Sequence, residues 1–322
     1  MKKILVTGAT GQIGSELVPE LRRLYGNDNV IAAGNKTQPS EELKSGPFIV
    51  VDVTNYEKIV RAIEEYDIGK IFHLSSILSA AGEKNPQAAY QVNFNGLYNV
   101  LEAARENEVE RVIVPSSIAA FGPDTPKHTP NDTIQRPATA YGISKVFGEL
   151  WGAYYFKRFG LDVRGVRFPG IISWKVEPIA GTTDYAVAIF YGAIREGKYT
   201  SYLGPDTRLP MMYMPDAVNA LVKLEQADVR RLKHHADFNV AAFSFTPAEL
   251  AEAIKKRIPN FIIDYKIDPV RQAIADSWPD SLDDSVAREE WGWKHEWSLD
   301  RMVDDMLRNL RIKLMKEIEV PL

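Results

Sequence analysis

A tyrosine and a lysine four residues apart are the side chains in this sequence best suited to proton transfer. Tyr141 and Lys145 belong to the run Y-G-I-S-K at residues 141–145, and this spacing places both on one face of a helix. A free tyrosine has a pKa of about 10 and is a poor base at neutral pH, but a nearby ammonium group favours the phenolate. The pair predicts a tyrosine base assisted by a lysine, provided that the rest of the chain supports it, because most such pairs are surface accidents.

That support comes from a glycine-rich stretch near the start of the chain. An apolar run at residues 4–6 is followed by Gly8, Gly11 and Gly14, and then by apolar residues at helical spacing. In a strand–turn–helix unit of this kind, the glycines allow a tight turn, a close approach of the pyrophosphate and packing of helix on strand. The first amides of the helix then face the phosphates. The pattern predicts dinucleotide binding; glycines that only form a turn are the alternative.

Alternating strand and helix patterns predict the elements that position these groups. Up to residue 168 they indicate an α/β fold, a Rossmann-type doubly wound parallel sheet; from Pro169 onward the pattern becomes irregular and indicates a smaller α/β lobe on the C-terminal side. We expect the dinucleotide-binding domain to comprise residues 1–172 and 211–242, and the substrate-binding lobe to comprise residues 173–210 and 243–322.

Composition excludes several classes of protein. The chain has 322 residues, 45% of them hydrophobic, and 43 acidic against 39 basic residues give a net charge of −4. Without a basic block, neither nucleic acid nor a membrane is an expected partner. Cysteine is absent, which excludes disulfides and cysteine zinc sites, and histidines and carboxylates lack metal spacing, so we expect no metal. Because the first strand begins at residue 3 and no long apolar run occurs, we expect a cytoplasmic protein without a signal peptide.

Two predicted helices, at residues 88–107 and 140–159, carry apolar side chains on more than one face. Phe94 and Tyr98 in the first, and Phe147 and Trp151 in the second, add to the apolar stripe that would cover a sheet. A second apolar face needs a partner. We expect a homodimer through these helices, with burial under the smaller lobe as the alternative.

The glycine spacing, together with the Y-x-x-x-K motif, resembles that of the extended short-chain dehydrogenase/reductases. The resemblance implies that Ser117 holds the substrate oxygen beside Tyr141, with Ser116 as a weaker candidate, and that Lys145 also holds the cofactor ribose. It implies a structural or proton-relay role for Asn93, and a hydrogen-bonded His73 at a strand end that is not a base. Two serines that only cap a strand-to-loop junction are the alternative.

The same resemblance implies a small-molecule substrate and NAD as the cofactor. Glycine at position 34 replaces the acidic residue that normally holds the adenosine ribose, and Lys36 therefore keeps NADP as an alternative. The implied cofactor-binding residues are Gly8, Gly11, Gln12, Ile13, Gly14, Asn35, Asp52, Val53, Leu74, Ser75, Ser76, Asn93, Tyr141, Lys145, Phe168 and Pro169.

Three segments resemble the short-chain type L-threonine 3-dehydrogenases more specifically: R-F-P-G-I-I-S at residues 167–173, G-T-T-D-Y-A at 181–186 and L-P-M-M-Y-M-P-D at 209–216. The resemblance implies oxidation of the β-hydroxyl of L-threonine to 2-amino-3-oxobutyrate, with hydride transfer to NAD and without a metal. The implied substrate-binding residues are Ser79, Ser116, Ser117, Tyr141, Gly181, Thr182, Thr183, Asp184 and Trp278. Either threonine can instead cap a helix, and Trp278 can be an ordinary packing residue.

Two other functions stay open. A sugar-nucleotide epimerase or dehydratase is disfavoured because Pro169 and Gly170 stand where such enzymes usually have an asparagine. A non-catalytic dinucleotide-sensing protein is disfavoured because Ser117, Tyr141 and Lys145 are all present.

Overall fold

A computed structural model describes residues 2–178 and 181–319. Its elements, in chain order, are β1 (Lys3–Thr7), α1 (Gly14–Tyr25), β2 (Val30–Gly34), β3 (Phe48–Val50), α2 (Tyr56–Tyr66), β4 (Ile68–His73), α3 (Ser79–Lys84), α4 (Pro86–Ala89), α5 (Gly96–Glu106), β5 (Arg111–Ile113), β6 (Ser116–Ser117), β7 (His128–Thr129), α6 (Ala140–Phe159), β8 (Asp162–Arg164) and β9 (Val166–Phe168). These are followed by β10 (Gly170–Ile172), α7 (Tyr185–Arg195), β11 (Lys198–Ser201), β12 (Leu209–Tyr213), α8 (Met214–Gln226), β13 (Phe238–Asn239), β14 (Phe243–Phe245), α9 (Pro247–Lys255), β15 (Ile262–Tyr265), α10 (Pro269–Asp276), β16 (Ser281–Leu282), α11 (Ser285–Trp291) and α12 (Leu299–Glu319).

The central sheet is parallel, in the order β3-β2-β1-β4-β5-β8. The strand order reverses between β1 and β4, where Val6 lies opposite Phe72. In open sheets of this kind, ligands bind outside the carboxyl ends of the strands at the reversal. The predicted Rossmann-type doubly wound fold is confirmed.

Both faces of the sheet are covered, because successive side chains of a strand point to opposite sides. Leu5 packs in a cluster with residues of α2, α5 and α6, whereas Ile4 and Val6 pack in a second cluster with α1 and α8. A third cluster joins α7, α9, β12 and α12 through residues such as Phe190 and Met306. It forms the core of the C-terminal part, and the two-domain division stays a prediction.

Two elements differ from the sequence prediction. The expected helix at residues 88–107 is interrupted: a π-helical turn, Tyr90–Asn95, separates α4 from α5. This turn carries Asn93, whose side-chain amide bonds the backbone of Ile77. Single π-helical turns inside α-helices are frequent at functional sites. The sequence pattern indicates one strand at residues 163–168, but the structure has two, β8 and β9, divided at Gly165, whose amide bonds the carbonyl of His235 outside the main ladder.

The helix α6, in contrast, has the bounds that its sequence predicts. Its outer surface and that of α5 carry exposed apolar side chains, including Leu150 (64% exposed) and Tyr98 (45%). Phe147 and Trp151 stack with ring centroids 5.5 Å apart. The predicted homodimer through this surface stays a prediction. Within the described residues, we find no helix that combines the length and the apolar character needed to cross a membrane.

Candidate active site

A cavity of about 240 Å³ lies at the carboxyl edge of the sheet, next to the reversal of strand order. Its walls come from the β1–α1 turn, the ends of β4, β6 and β9, the start of α6 and the segment before α7. The predicted residues that line it are Gly8, Gly11, Gln12, Ile13, Gly14, Leu74, Ser76, Ser79, Ser116, Ser117, Tyr141, Lys145, Phe168, Pro169, Gly181, Thr182, Thr183, Asp184 and Trp278. The fold therefore brings the Tyr141–Lys145 pair next to the glycine turn, from which it is far apart in sequence.

The remaining predicted cofactor residues lie outside this cavity. Ser75 and Asn93 line a smaller neighbouring cavity of about 20 Å³. Asn35 and Asp52 follow the neighbouring strands β2 and β3. The backbone amide and hydroxyl of Thr54 donate to Asp52 and, as the largest cause, lower the pKa of its carboxyl. Val53 is buried.

Close backbone contacts require glycine at two positions of the turn. Gly8 has a φ of +69°, and a Cβ there would come within 2.7 Å of the amide nitrogen of Ser75. At Gly14 a Cβ would come within 2.6 Å of the Cα of Ala9, so the helix α1 packs directly on its strand. Ile13 caps α1 without a side-chain hydrogen bond. The first amides of the helix therefore have no side-chain cap and are suited to bind phosphate.

Position 34 explains how this chain differs from the usual ribose site. A Cβ at Gly34 would meet the ring of Phe48 at 2.9 Å and the methyl carbon of Thr10 at 3.2 Å. An acidic side chain could enter only if these neighbours moved. The polar groups closest in sequence to this strand end are those of Asn35 and the exposed Lys36.

The start of α6 positions the predicted base. Thr139 caps the helix by accepting a hydrogen bond from the amide of Gly142 at 3.0 Å. One turn later, the Nζ of Lys145 donates to the carbonyl of Pro115 at 2.9 Å and lies 5.1 Å from the centre of the Tyr141 ring. The ammonium is thus held beside the tyrosine by a strand that also carries the two serines.

The two neighbouring serines have different partners. Ser117 lines the cavity and accepts a hydrogen bond from the amide of Ala119 at 3.2 Å, so it also caps the short helical turn that follows. The Oγ of the buried Ser116 donates to Glu149. Because the hydroxyl proton of Ser116 is directed to Glu149, Ser117 is better placed than Ser116 to donate a hydrogen bond to a substrate oxygen.

His73 and Asn93 are hydrogen-bonded residues next to the site. His73 is 5% exposed, and its Nδ1 lies 2.9 Å from the hydroxyl of Thr7. Burial, followed by the charge of Lys145, lowers the pKa of His73 to about 3, so the ring is neutral at physiological pH. The side chain of Asn93 bonds both the amide (2.8 Å) and the carbonyl (3.0 Å) of Ile77, which orders the segment leading to α3.

The opposite wall of the cavity consists of Ser79 and the segment before α7. The hydroxyl of Thr182 is buried and has no hydrogen-bond partner among the described residues. The carboxylate of Asp184 accepts from the amide of Gly181 at 2.8 Å and orders this turn. Neither threonine caps the turn with its side chain, because Gly181 occupies the cap position. Trp278 is 6% exposed and belongs to the third apolar cluster, so it both packs in the core and lines the cavity.

Sequence reasoning missed several residues at the site. Leu78, Pro115, Ile118, Gly170 and Ile171 also line the cavity, but apolar and backbone contributions leave no chemical pattern in a sequence. Glu149 is the polar residue that could have been found. It lies four residues after Lys145, the same spacing that drew attention to Tyr141.

A second group of polar side chains lies elsewhere. Atoms of Asp132, His234 and Asp237 lie within 4.8 Å of one another, and none of these residues lines the main cavity. His234 is also 2.9 Å from Glu290. Asp132 is 102 positions before His234 in the chain, so the sequence spacing does not indicate the grouping.

Residues 4–241 match the sequence model of the NAD dependent epimerase/dehydratase family. An uncharacterized epimerase/dehydratase of Staphylococcus haemolyticus is 49% identical over 97% of this chain and 99% of its own length. The X-ray structure of L-threonine dehydrogenase from Clostridium difficile has 50% identity and a TM-score of 0.95, covering 97% of this chain and 98% of that one. A monomeric L-threonine 3-dehydrogenase from a metagenome has 45% identity and a TM-score of 0.92, covering 96% and 99%.

The chain therefore belongs to the NAD dependent epimerase/dehydratase family. It is an NAD-dependent oxidoreductase, and the predicted resemblance to the extended short-chain enzymes and to the L-threonine dehydrogenases is confirmed. NAD is the cofactor, in agreement with the sequence prediction.

Proposed function

We propose that this member of the family is an L-threonine 3-dehydrogenase that converts L-threonine to 2-amino-3-oxobutyrate. One observation carries the proposal: Tyr141, Lys145 and Ser117 line the same cavity as Ser79 and Thr182. The first three residues suit the oxidation of an alcohol, and the other two offer hydrogen bonds to a small polar substrate. The similarity to solved L-threonine dehydrogenases supports this choice of substrate.

Each residue of the first group has one task. Tyr141, as phenolate, takes the proton of the β-hydroxyl, and Ser117 donates a hydrogen bond to the same oxygen. Bound NAD would supply the acceptor for the hydride that leaves the β-carbon. The C–O bond of the substrate becomes a carbonyl because the alcohol has lost one proton and one hydride. Lys145, fixed by the carbonyl of Pro115 at 2.9 Å, favours the phenolate electrostatically.

The cofactor site follows from the glycine turn. The amides at the start of α1 would hold the pyrophosphate, and the close backbone packing at Gly8 and Gly14 fixes the turn that positions them. Asn35 and Asp52 lie at the ends of neighbouring strands and are the proposed contacts for the adenosine part.

The second group of residues would recognise the amino acid ends of the substrate. Burying an unpaired charge costs several kcal/mol, so the carboxylate and the ammonium both need partners. The hydroxyls of Thr182 and Ser79 are buried at the cavity wall. Thr182 and Thr183 also belong to the helical turn that leads into α7, and the positive end of a helix favours a carboxylate.

A direct assay tests the proposal. The purified protein is mixed with NAD or NADP and with L-threonine, L-allo-threonine, L-serine or a UDP-hexose, and the absorbance of the reduced cofactor is followed. We expect reduction of NAD with L-threonine, together with release of 2-amino-3-oxobutyrate or its decarboxylation product. Conversion of the UDP-hexose without reaction of L-threonine would instead identify a sugar-nucleotide enzyme.

A further inference from the structure

Three polar residues follow one another along a single face of α6. Tyr141, Lys145 and Glu149 are separated by four residues each, so they lie above one another at successive turns. The last two each bind the strand segment beside the helix: Lys145 donates to the carbonyl of Pro115, and Glu149 accepts from the hydroxyl of Ser116. The helix that carries the proposed base is therefore joined twice to the segment that carries Ser117.

Glu149 is buried and has a full set of partners. The residue is 4% exposed. Its carboxylate accepts from Nε and Nη2 of Arg167 at 3.0 and 2.8 Å, and from the side-chain amide of Gln135 at 2.7 Å. Arg167 is itself 3% exposed and donates to the carbonyl of Asn131 at 2.7 Å. A paired, bidentate arginine–carboxylate bridge of this kind has a defined geometry, so it can hold the attached segments in one arrangement.

We propose that Glu149 is a positioning residue for the proposed oxidation, holding the Ser116–Ser117 segment against the helix that carries Tyr141 and Lys145. The positioning role of Glu149 depends on the proposed function only for the identity of the reaction. A carboxylate at this place fixes two things at once: the strand, through Ser116, and the neighbouring strand β9, through Arg167. As a consequence, the distance between Ser117, which would hold the substrate oxygen, and Tyr141, the proposed base, stays constant.

Glu149 also acts on the site through its charge. Lys145 and Glu149 line the same cavity of about 20 Å³, which His73 lines too. The other charged groups that face Glu149 are Arg167 from β9 and Asp237 from the segment before β13, while His73 is neutral. Tyr141 lies two helical turns away, about 12 Å along the axis. Removal of this negative charge should favour the phenolate, which moves the acidic limb of the pH–rate profile to lower pH by roughly half a unit.

The test compares Glu149→Gln with Glu225→Gln. Glu225 is an equally buried, ion-paired carboxylate with an exposed fraction of 1%, bound to Lys70 at the other edge of the sheet. For Glu149→Gln we expect a turnover number roughly tenfold to a hundredfold lower, Michaelis constants for NAD and L-threonine changed less than about threefold, and the shifted acidic limb. Glu149→Asp should recover part of the turnover. Glu225→Gln should leave both the turnover and the limb unchanged.

Hydrogen exchange separates this inference from the proposed function. Amides of residues 114–121 should exchange faster in Glu149→Gln than in wild type, with no such change in Glu225→Gln, whatever the substrate is. If wild type does not oxidise L-threonine but this exchange rises, the proposed function fails and the positioning role stands. Wild-type turnover, pH profile and exchange in Glu149→Gln would overturn the inference.

If Glu149→Gln does not fold, Ser116→Ala breaks the same link without leaving an unpaired charge. A several-fold lower turnover is then expected, and an unchanged one overturns the inference.

Discussion

The two edges of the central sheet differ in how completely the polar groups that face a ligand or the core are hydrogen-bonded. At the amino edge, where the strands begin, charged side chains form ion pairs with one another. Glu225 pairs with Lys70 at 2.5 Å, and Asp162 pairs with Arg111 and Arg164 at 2.7 and 2.8 Å. At the carboxyl edge, the hydroxyl of Thr182 has no partner among the described residues, and the helix α1 starts without a side-chain cap.

This difference indicates that the polar residues of the amino edge contribute to stability, whereas those of the carboxyl edge serve ligand binding. A buried charge is tolerated only when it is paired and hydrogen-bonded, and the amino edge meets that condition. The carboxyl edge keeps unused hydrogen-bonding capacity, at a cost in stability, where the strand order reverses and a ligand can bind. Substitutions at the two edges should therefore affect different measurable quantities.

The largest effect is expected at the carboxyl edge. Tyr141→Phe removes the proton acceptor and retains the ring, so the turnover number should fall by about 10²–10⁴-fold or more. Cofactor affinity, followed by fluorescence of the reduced dinucleotide, and the free energy of unfolding should stay close to wild type. Ordinary turnover in this variant would remove the assignment of the base.

The converse result is expected at the amino edge. Glu225→Ala leaves Lys70 without its carboxylate and Arg111 with Asp162 alone, and breaking a buried ion pair typically costs about 3–5 kcal/mol. Urea unfolding should show this loss, while the turnover number per folded molecule stays unchanged. A variant with wild-type stability and impaired catalysis would contradict the division between the two edges.

His73 makes the stability at the carboxyl edge dependent on pH. Its pKa is lowered to about 3 in the folded protein, against about 6.5 for an unperturbed histidine. As the pH falls below 6.5, the unfolded chain binds a proton that the folded protein does not, so its free energy of unfolding decreases. The contribution between pH 7 and pH 5 is about 2 kcal/mol. His73→Gln should lose this contribution; an identical pH dependence in both proteins would show that the ring is not kept neutral.

The smallest effect is expected for Thr182→Val. This change removes a hydroxyl that has no partner within the described residues and retains the shape of the side chain. Stability should be unchanged or higher by about 1 kcal/mol, whereas the Michaelis constant for L-threonine should rise several-fold and that for NAD should not. A clear loss of stability would mean that the hydroxyl is satisfied within the protein.

Local patterns were predictable from the sequence, and long-range pairings were not. The glycine turn and the bounds of α6 could be predicted because each depends on neighbouring residues. The link between Glu149 and Arg167, and the grouping of Asp132 with His234, join distant segments, so no spacing in the sequence indicates them. The π-helical turn at Tyr90–Asn95 was missed for a related reason, since it coincides with the tertiary contact between Asn93 and Ile77.

Transfer of isotope from the substrate tests the central claim most directly. L-Threonine deuterated at the β-carbon is incubated with the wild-type protein and NAD, and the reduced dinucleotide is analysed by mass spectrometry. If the carboxyl edge oxidises this alcohol as proposed, the reduced dinucleotide carries one deuterium and turnover slows relative to unlabelled L-threonine when hydride transfer limits the rate. Reduced dinucleotide without deuterium, or the absence of any reduction, would contradict the proposed reaction.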